Sequence, residues 1–496
     1  METPIKLKQQ NLEELVSRLP LPRYNRFATN IGIVHIGVGG FHRAHQAYYL
    51  HQLRQLGEAS EWGICGIGIR EADAKINDVL KTQDHLYTLM VKHPNGKIEP
   101  EVIGSIVDFE MGTINPEKVI ARMAHAETKI VSLTITEGGY NFNPTTGKFN
   151  LENPNIQHEL LHPKDPKTVY GYLTAALKTR RDTGVPAFTI VSCDNIEHNG
   201  DMIRKMLLDF VNLQDPDLAK WISLNVGFPN SMVDRITPVT TRENIETLAQ
   251  NYGVEDAWPV TCEPFIQWVI EDKFSNGRPA LEKVGVQFVP DVEPYEKMKL
   301  RLLNAGHSVL GILGAIYGHP TINACVEDEV YANYLRAFLD KEATPILGNI
   351  EGIDLEGYKN SLLERFANPN IKDSVSRICS ESSAKLPKFL IATIHENLAI
   401  GGSIKFATLV LAAWCYYCDK EVDQNGRALE IIDAMHSELH YAASETKNDP
   451  LAFLKQESIF GNLAKNHTFT SVYTSMLQEL YQVNDIKKLM QDWMKK

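Results

Sequence analysis

The sequence predicts an α/β half of doubly wound, parallel-sheet type followed by a half made almost entirely of helices. Three observations carry that prediction. Short apolar runs alternate with helical spacing from residue 31 to about residue 290. The first of those runs ends in a glycine turn that leads straight into a helix. After Glu293 the strand signals stop, and helical spacing continues to Lys496. A chain of 496 residues is too long for one core, and two domains are expected, 1–290 and 291–496.

Residues 1–30 read as a short helix (12–19) and a proline-bearing lead-in. Residues 31–36, Ile-Gly-Ile-Val-His-Ile, suit a buried parallel strand. It ends in Gly37-Val38-Gly39-Gly40-Phe41, and helical spacing follows through Ala47, Leu50, Leu53 and Leu56. Gly37 permits the sharp turn, Gly39 lets backbone amides approach a pyrophosphate, and the helix beyond offers unpaired N–H groups and a positive dipole end. The third glycine of the GxGxxG pattern is replaced by His42, with Gly40 as a possible substitute. Residues 62–69 supply the second strand of a βαβ unit, and Arg70-Glu71-Ala72-Asp73 follows. Glu71 or Asp73 can take the hydroxyls of an adenosine ribose and so select NAD. Arg70 pulls toward a 2′-phosphate, and all three could instead cap the next helix.

Strands are expected at 87–91, 102–106, 129–136, 188–193 and 284–289, and helices at 116–125, 167–183 and from an N-cap at Asn199. The strand at 129–136 leads into Glu137, and that at 188–193 into Asp194-Asn195. Open α/β sheets place ligand groups at strand ends, which singles out Glu137 and Asn195, although Asn195 also suits a turn or cap. The 220–290 region is irregular, with 228–235 and 259–264 as loops or short strands near a site. The helical half breaks at Asn368-Pro369-Asn370, at 380–383 and at Asn425-Gly426.

That half opens on a helix, 296–317, carrying Lys299, Asn304 and His307. On a regular helix, with Lys299 at zero, His307 falls near about 80° and Asn304 near about 140°. An amine, an imidazole and an amide on one side can exchange a proton, orient a substrate and donate to an oxyanion. A solvated polar face, with Arg301 in it, would show much the same spacing.

Net charge is −12, which argues against a nucleic-acid partner. The longest apolar run, 406–418, has 13 residues where about 20 are needed to span a bilayer, and reads as a buried helix. The N-terminus lacks the pattern of a signal or transit peptide, so the chain is expected in the cytosol, with no membrane partner. Seven scattered cysteines fit reduced thiols, and Cys415-Tyr416-Tyr417-Cys418 fits core packing. His42-x-x-His45 offers a zinc alternative. Two of the clustered histidines sit at the glycine turn, however, and no cysteine–acid ligand set accompanies them.

An α/β nucleotide-binding half followed by a helical half is a dehydrogenase layout, in which a cleft would bring Lys299, Asn304 and His307 to strand-end residues such as Asn195. The sequence closely resembles the polyol-specific long-chain dehydrogenase/reductase family. The resemblance rests on HIGVGGFHRAHQAYY (35–49), VSLTITEGGY (131–140), SCDN (192–195), FPNSMVDRITP (228–238) and CEPFIQWVIEDKFSNGRP (262–279). The family's K-x4-N-x2-H signature falls on Lys299, Asn304 and His307. The resemblance implies a Rossmann-type N-terminal domain, a mainly helical C-terminal domain, NAD as cofactor and zinc-independent interconversion of D-mannitol and D-fructose. It makes Lys299 the general acid/base, with Asn195 and Asn304 as oxyanion donors and His307 positioning substrate. It also points to Asp234, Arg377 and Lys385 around the polyol, to Asp73 beside the ribose, and to Glu137 and Glu296 for proton passage. Gly37, Gly39, Gly40 and Phe41 fall in the cofactor segment. Ala305-Gly306 stands where relatives often carry Gly-Ser. The partner is expected to be a small polyol or ketose, with a monomer favoured. Alternatives are a fructuronate reductase, another polyol dehydrogenase, and a non-catalytic nucleotide-binding protein.

Overall fold

The structure, a computed structural model, describes residues 3–143 and 147–496. The chain forms two compact units, Met1–Glu293 and Pro294–Lys496.

In the first unit five strands make one parallel sheet: β1 (Ile31–Ile36), β2 (Gly63–Gly68), β3 (Ile106–Met111), β4 (Ile130–Leu133) and β5 (Thr189–Ser192), in the order β3-β2-β1-β4-β5. The order reverses between β1 and β4, which is the position where doubly wound sheets bind ligands beyond their carboxyl ends. The Gly37 turn leaves β1 there, and Thr134–Glu137 leaves β4. Side chains alternate between two cores. Val34, Ile36, Cys65, Ile67, Val131, Leu133 and Ile190 face one side, and Ile64, Ile130 and Val191 the other. Helices α1 (Gly40–Ala44) and α2 (Gln46–Gln55) follow the turn, with Leu50 and Leu53 in the second core. Helices α3 (Pro116–Ala124) and α4 (Val169–Thr183) pack together on the first face. Helix α5 (Asn199–Gln214) follows β5.

A second sheet holds β6 (Ser231–Asp234), antiparallel to β7 (Gln267–Glu271), which runs parallel to β8 (Gln287–Val289). A third sets Tyr87–Lys92 between Val260–Cys262 and Ile98–Ile103. Several expectations change. The strand read at 102–106 is the end of one strand and the start of another. The chain breaks between them at Gly104, where an added Cβ would meet Arg26 Cδ at 2.8 Å and where Arg26 Nε donates to the Gly104 carbonyl at 2.9 Å. The 284–289 run begins as a 3-10 turn, Leu281–Val284, and becomes strand only beyond Gly285, whose φ is +98°. Asn199 is the first helical residue rather than the cap, and its amide donates to the carbonyls of Asp194 and Ser231. The 220–290 region also holds a helix, Arg242–Tyr252, started by a reciprocal cap between Thr241 and Asn244.

In the second unit, α6 (Glu293–Lys299), a π turn (Leu300–Asn304) and α7 (Ala305–Tyr317) run as one continuous rod. Helix α7 packs on α8 (Val375–Cys379) and on α9 (Lys405–Lys420), which packs in turn on α10 (His467–Val483). Every residue of α9 from Phe406 to Cys418 is buried. Cys415 and Cys418 are core residues, and burial pushes the Cys415 thiol up to about 12. Among the described residues no helix is long and apolar enough to cross a membrane.

Candidate active site

The glycine turn is shaped by its backbone. Gly37 has φ +95°, and a Cβ there would lie 2.1 Å from the Thr134 carbonyl oxygen, so only glycine fits. Thr134 Oγ1 donates to the Gly37 carbonyl at 2.7 Å and ties the β1 turn to the β4 end. Gly39 and Gly40 are not crowded: an added Cβ would make only ordinary contacts, with the Gly37 carbonyl oxygen at 3.9 Å and with Thr237 Cγ2 at 3.7 Å. Their lack of side chains leaves room for a ligand rather than for packing. Phe41 stacks on His45 at 5.0 Å. The third-glycine position works differently here. The buried His42 ring lies flat on His35, with centroids 3.4 Å apart, and His35 is held by Ser132 Oγ (2.8 Å) and Thr134 Oγ1 (2.9 Å). Burial drives the His35 ring down to about 3 and His42 well below its usual range, so both are neutral. His45 Nε2 meets the Gln267 carbonyl at 2.8 Å, so this ring belongs to the packing between turn and β7.

Asp73 is buried beyond β2. Its Oδ2 accepts from the amides of Ile69 (3.1 Å) and Arg70 (3.0 Å), and Arg70 Nη2 reaches Oδ1 at 2.9 Å. Arg70 is thereby tied to the acid that sequence reasoning set it against. Glu71 is exposed.

At the ends of β4 and β5 the organising residue is Asp194. Its carboxylate accepts from the amides of Ile135 (3.0 Å) and Thr136 (2.9 Å) and from Tyr140 Oη (2.8 Å). Thr136 takes φ +62° to make this possible. Burial raises the Asp194 carboxyl despite these donors. The clamp holds the exposed Asn195 and Glu137 on neighbouring strand ends. Asp234 is buried at the end of β6, opposite Gln267.

In the second unit the π turn resets the geometry of the signature. The Ala305 amide bonds back five residues, to the Leu300 carbonyl. One extra residue in the turn takes about 100° off every position beyond it. Asn304 therefore moves from about 140° to about 40°, and His307 from about 80° to about −20°. Lys299, Asn304 and His307 form one narrow stripe, and Glu296 precedes Lys299 by one helical turn. Lys299 and Asn304 are only 8 % and 9 % exposed. Arg301 does not extend a solvated face. It is buried, donating to the Lys388 carbonyl (2.6 Å) and to Glu396 (2.9 Å), which also holds Lys297 at 2.5 Å. The His307 ring lies 4.3 Å from Phe366.

Sequence reasoning missed Asp373. It grips Arg377 through two bonds, from Nε at 2.8 Å and Nη2 at 2.6 Å, and its Oδ2 lies 3.9 Å from His307 Nε2. The signal was available only as Asp373-Ser374 before a helix, where Ser374 Oγ caps the Arg377 amide. Lys385 Nζ reaches the Ile378 carbonyl at 3.3 Å, and burial, then the Arg377 charge, hold its amine below the usual lysine range.

A doubly wound sheet with an open glycine turn at its switch point, joined to a helical unit that begins with a buried lysine–amide–imidazole stripe, defines a dinucleotide-linked oxidoreductase. The chain belongs to the mannitol dehydrogenase family. Residues 31–283 match the mannitol dehydrogenase Rossmann domain, and residues 291–481 its C-terminal domain. It is 42 % identical to a mannitol 2-dehydrogenase of Neosartorya fischeri, covering 98 % of this chain and 99 % of that one. It is 43 % identical to a mannitol 2-dehydrogenase of Pyricularia oryzae, covering 93 % and 92 %. Among solved structures it is similar to the Pseudomonas fluorescens mannitol 2-dehydrogenase ternary complex with NAD and D-mannitol (44 % identity, TM-score 0.89, 99 % and 100 % covered). It is also similar to a D-sorbitol dehydrogenase in substrate-free form (35 % identity, TM-score 0.90, 98 % and 100 % covered). The resemblance read from the five sequence segments is borne out.

Proposed function

We propose that the chain is an NAD-dependent, zinc-independent dehydrogenase that interconverts D-mannitol and D-fructose: D-mannitol + NAD⁺ ⇌ D-fructose + NADH + H⁺. The observation that carries the proposal is the stripe of Lys299, Asn304 and His307, aligned by the π turn and largely closed to water. Bound NAD supplies the hydride acceptor. The open Gly39-Gly40 backbone fits a pyrophosphate, and the Asp73 carboxylate fits the adenosine ribose. Lys299 takes the proton from the 2-hydroxyl and returns it in the reverse direction. The Asn195 and Asn304 amides donate to the oxygen as charge grows on it. Glu296, one turn from Lys299, and Glu137 pass the proton onward. His307, Asp234, Arg377 and Lys385 read the other hydroxyls, since a buried polar group left unmatched, such as the Asp234 carboxylate, penalises the wrong stereoisomer. The enzyme works in the cytoplasm, a placement that free, buried cysteines support. Its unit of activity is a single chain, because no role assigned above requires a second copy.

The test is oxidation of NADH by the purified protein with D-fructose, with D-fructuronate and NADPH in parallel. Fast loss of nicotinamide absorbance with fructose and NADH, and little with fructuronate, is the expected result. Turnover of fructuronate alone would move the substrate to the hexuronates. NADH binding without turnover of either would remove the assigned reaction.

A further inference from the structure

We propose that Asp373 sets the charge preference of the substrate pocket, making it suited to a neutral polyol and poor for an anionic hexuronate. The inference rests on the proposed contact of Arg377 and Lys385 with substrate. Asp373 occupies the Nε–Nη2 fork of Arg377, at 2.8 and 2.6 Å. That paired edge is what a substrate carboxylate would seek. The two Nη1 hydrogens and the outer Nη2 hydrogen remain, and they face substrate on a guanidinium whose charge Asp373 already balances, which suits hydroxyls better than a second carboxylate. The charges cancel locally: the Asp373 side chain is 7 % exposed and the Arg377 side chain 62 %. The anion is thus the buried, fixed member, and the guanidinium is the outward one. Lys385, the other cation, is held below the usual lysine range by burial and then by Arg377. It compensates weakly for the lost guanidinium charge.

Three ties keep the carboxylate in place. Lys372 adopts φ +52°, the Asp373 carbonyl accepts the Ile322 amide at 2.9 Å, and Ser374 caps the helix that carries Arg377. Asp373 Oδ2 also lies 3.9 Å from His307 Nε2, so one buried negative charge stands beside two of the proposed substrate contacts. Asp373 is therefore a positioning residue with a specific consequence, the choice between neutral and anionic ketoses.

The experiment compares kcat/KM for D-fructose and D-fructuronate, with NADH, in the unaltered protein, Asp373→Asn, Asp373→Glu and Arg377→Gln. In Asp373→Asn the fructuronate-to-fructose ratio should rise about tenfold or more, the scale of one freed charge-assisted hydrogen bond, with fructose losing mainly through KM. Asp373→Glu should keep the ratio within about twofold of the unaltered protein, since the charge is retained. Arg377→Gln leaves the Asp373 charge uncompensated and should lower the ratio, which keeps the test decisive if Asp373→Asn does not fold. A ratio unmoved in Asp373→Asn while both substrates fall together would make the residue merely structural and overturn the inference. So would an unchanged or raised ratio in Arg377→Gln. Failure of the unaltered protein to reduce fructose would instead overturn the proposed reaction; Asp373 is then read from fructuronate alone, whose kcat/KM should still rise in Asp373→Asn and whose fall there would overturn the inference.

Discussion

Asn304→Ala removes one proposed donor to the reacting oxygen and little else. The π turn brings Asn304 to within about 40° of Lys299 around the helix, five residues on. The residue is 9 % exposed, so water does not readily replace the lost amide. Loss of one oxyanion donor costs about 10²–10³ in kcat, or about 2.7–4 kcal/mol. With Asn195 proposed as the other donor, the lower end, about 10², is expected. The bond strengthens only as charge develops, so KM for fructose should move by no more than about threefold. Asn304→Asp keeps the shape but sets an anion against the growing charge, and should fall further. The assay is steady-state NADH oxidation with fructose, with circular dichroism and NADH binding as controls for the fold. An Asn304→Ala enzyme with kcat within about threefold of native would refute the reasoning, because the donor would then not act in the transition state.

Glu342 gives a prediction about pH and stability. Its buried carboxylate accepts from the amides of Phe406 and Ala407 (both 2.8 Å) and from Ser403 (2.9 Å), yet burial pushes it up to about 7 from 4.5. A raised acid contributes stability that is full below about pH 4.5 and lost as pH rises through about 7. At about 1.4 kcal/mol per unit, the loss is about 3 kcal/mol. Urea midpoints should fall between pH 5 and 8 in the native protein and stay flatter in Glu342→Gln; equal slopes would contradict the assignment. The glycine turn separates fold from cofactor. Gly37→Ala forces a Cβ onto the Thr134 carbonyl in a left-handed backbone, which costs about 1–2 kcal/mol for conformation alone, and should lower the melting temperature by several degrees. Gly39→Ala meets no atom closer than 3.9 Å, so it should keep its melting temperature and weaken NADH binding instead. Equal melting losses in the two variants would undo that distinction.

The doubly wound half was legible because its strands are buried on both faces and therefore read as unbroken apolar runs. The Gly37 turn was legible because only glycine meets its φ and its contact with Thr134. Boundaries failed where an apolar run hid a turn, as at Gly104, since apolar patterning does not mark where a buried arginine such as Arg26 bends the chain. The signature Lys299, Asn304 and His307 was visible, but its geometry was not. A π turn has no periodic signature, and regular spacing left Asn304 about 140° from Lys299. Asp373 and Asp194 lie in loops, where a lone acid carries no pattern. Their importance comes from partners distant in sequence, such as Ile135, Thr136 and Tyr140 for Asp194. The helix Arg242–Tyr252 could have been found from Thr241 and Asn244, a reciprocal cap three residues apart.

The central claim is that Lys299 moves the proton. Its most direct test is Lys299→Ala, measured for both NADH binding and single-turnover reduction of D-fructose. Binding close to native with a rate lower by several orders of magnitude, about 10³ or more, is the predicted result. Turnover at the native rate would contradict the account and send the proton to another group.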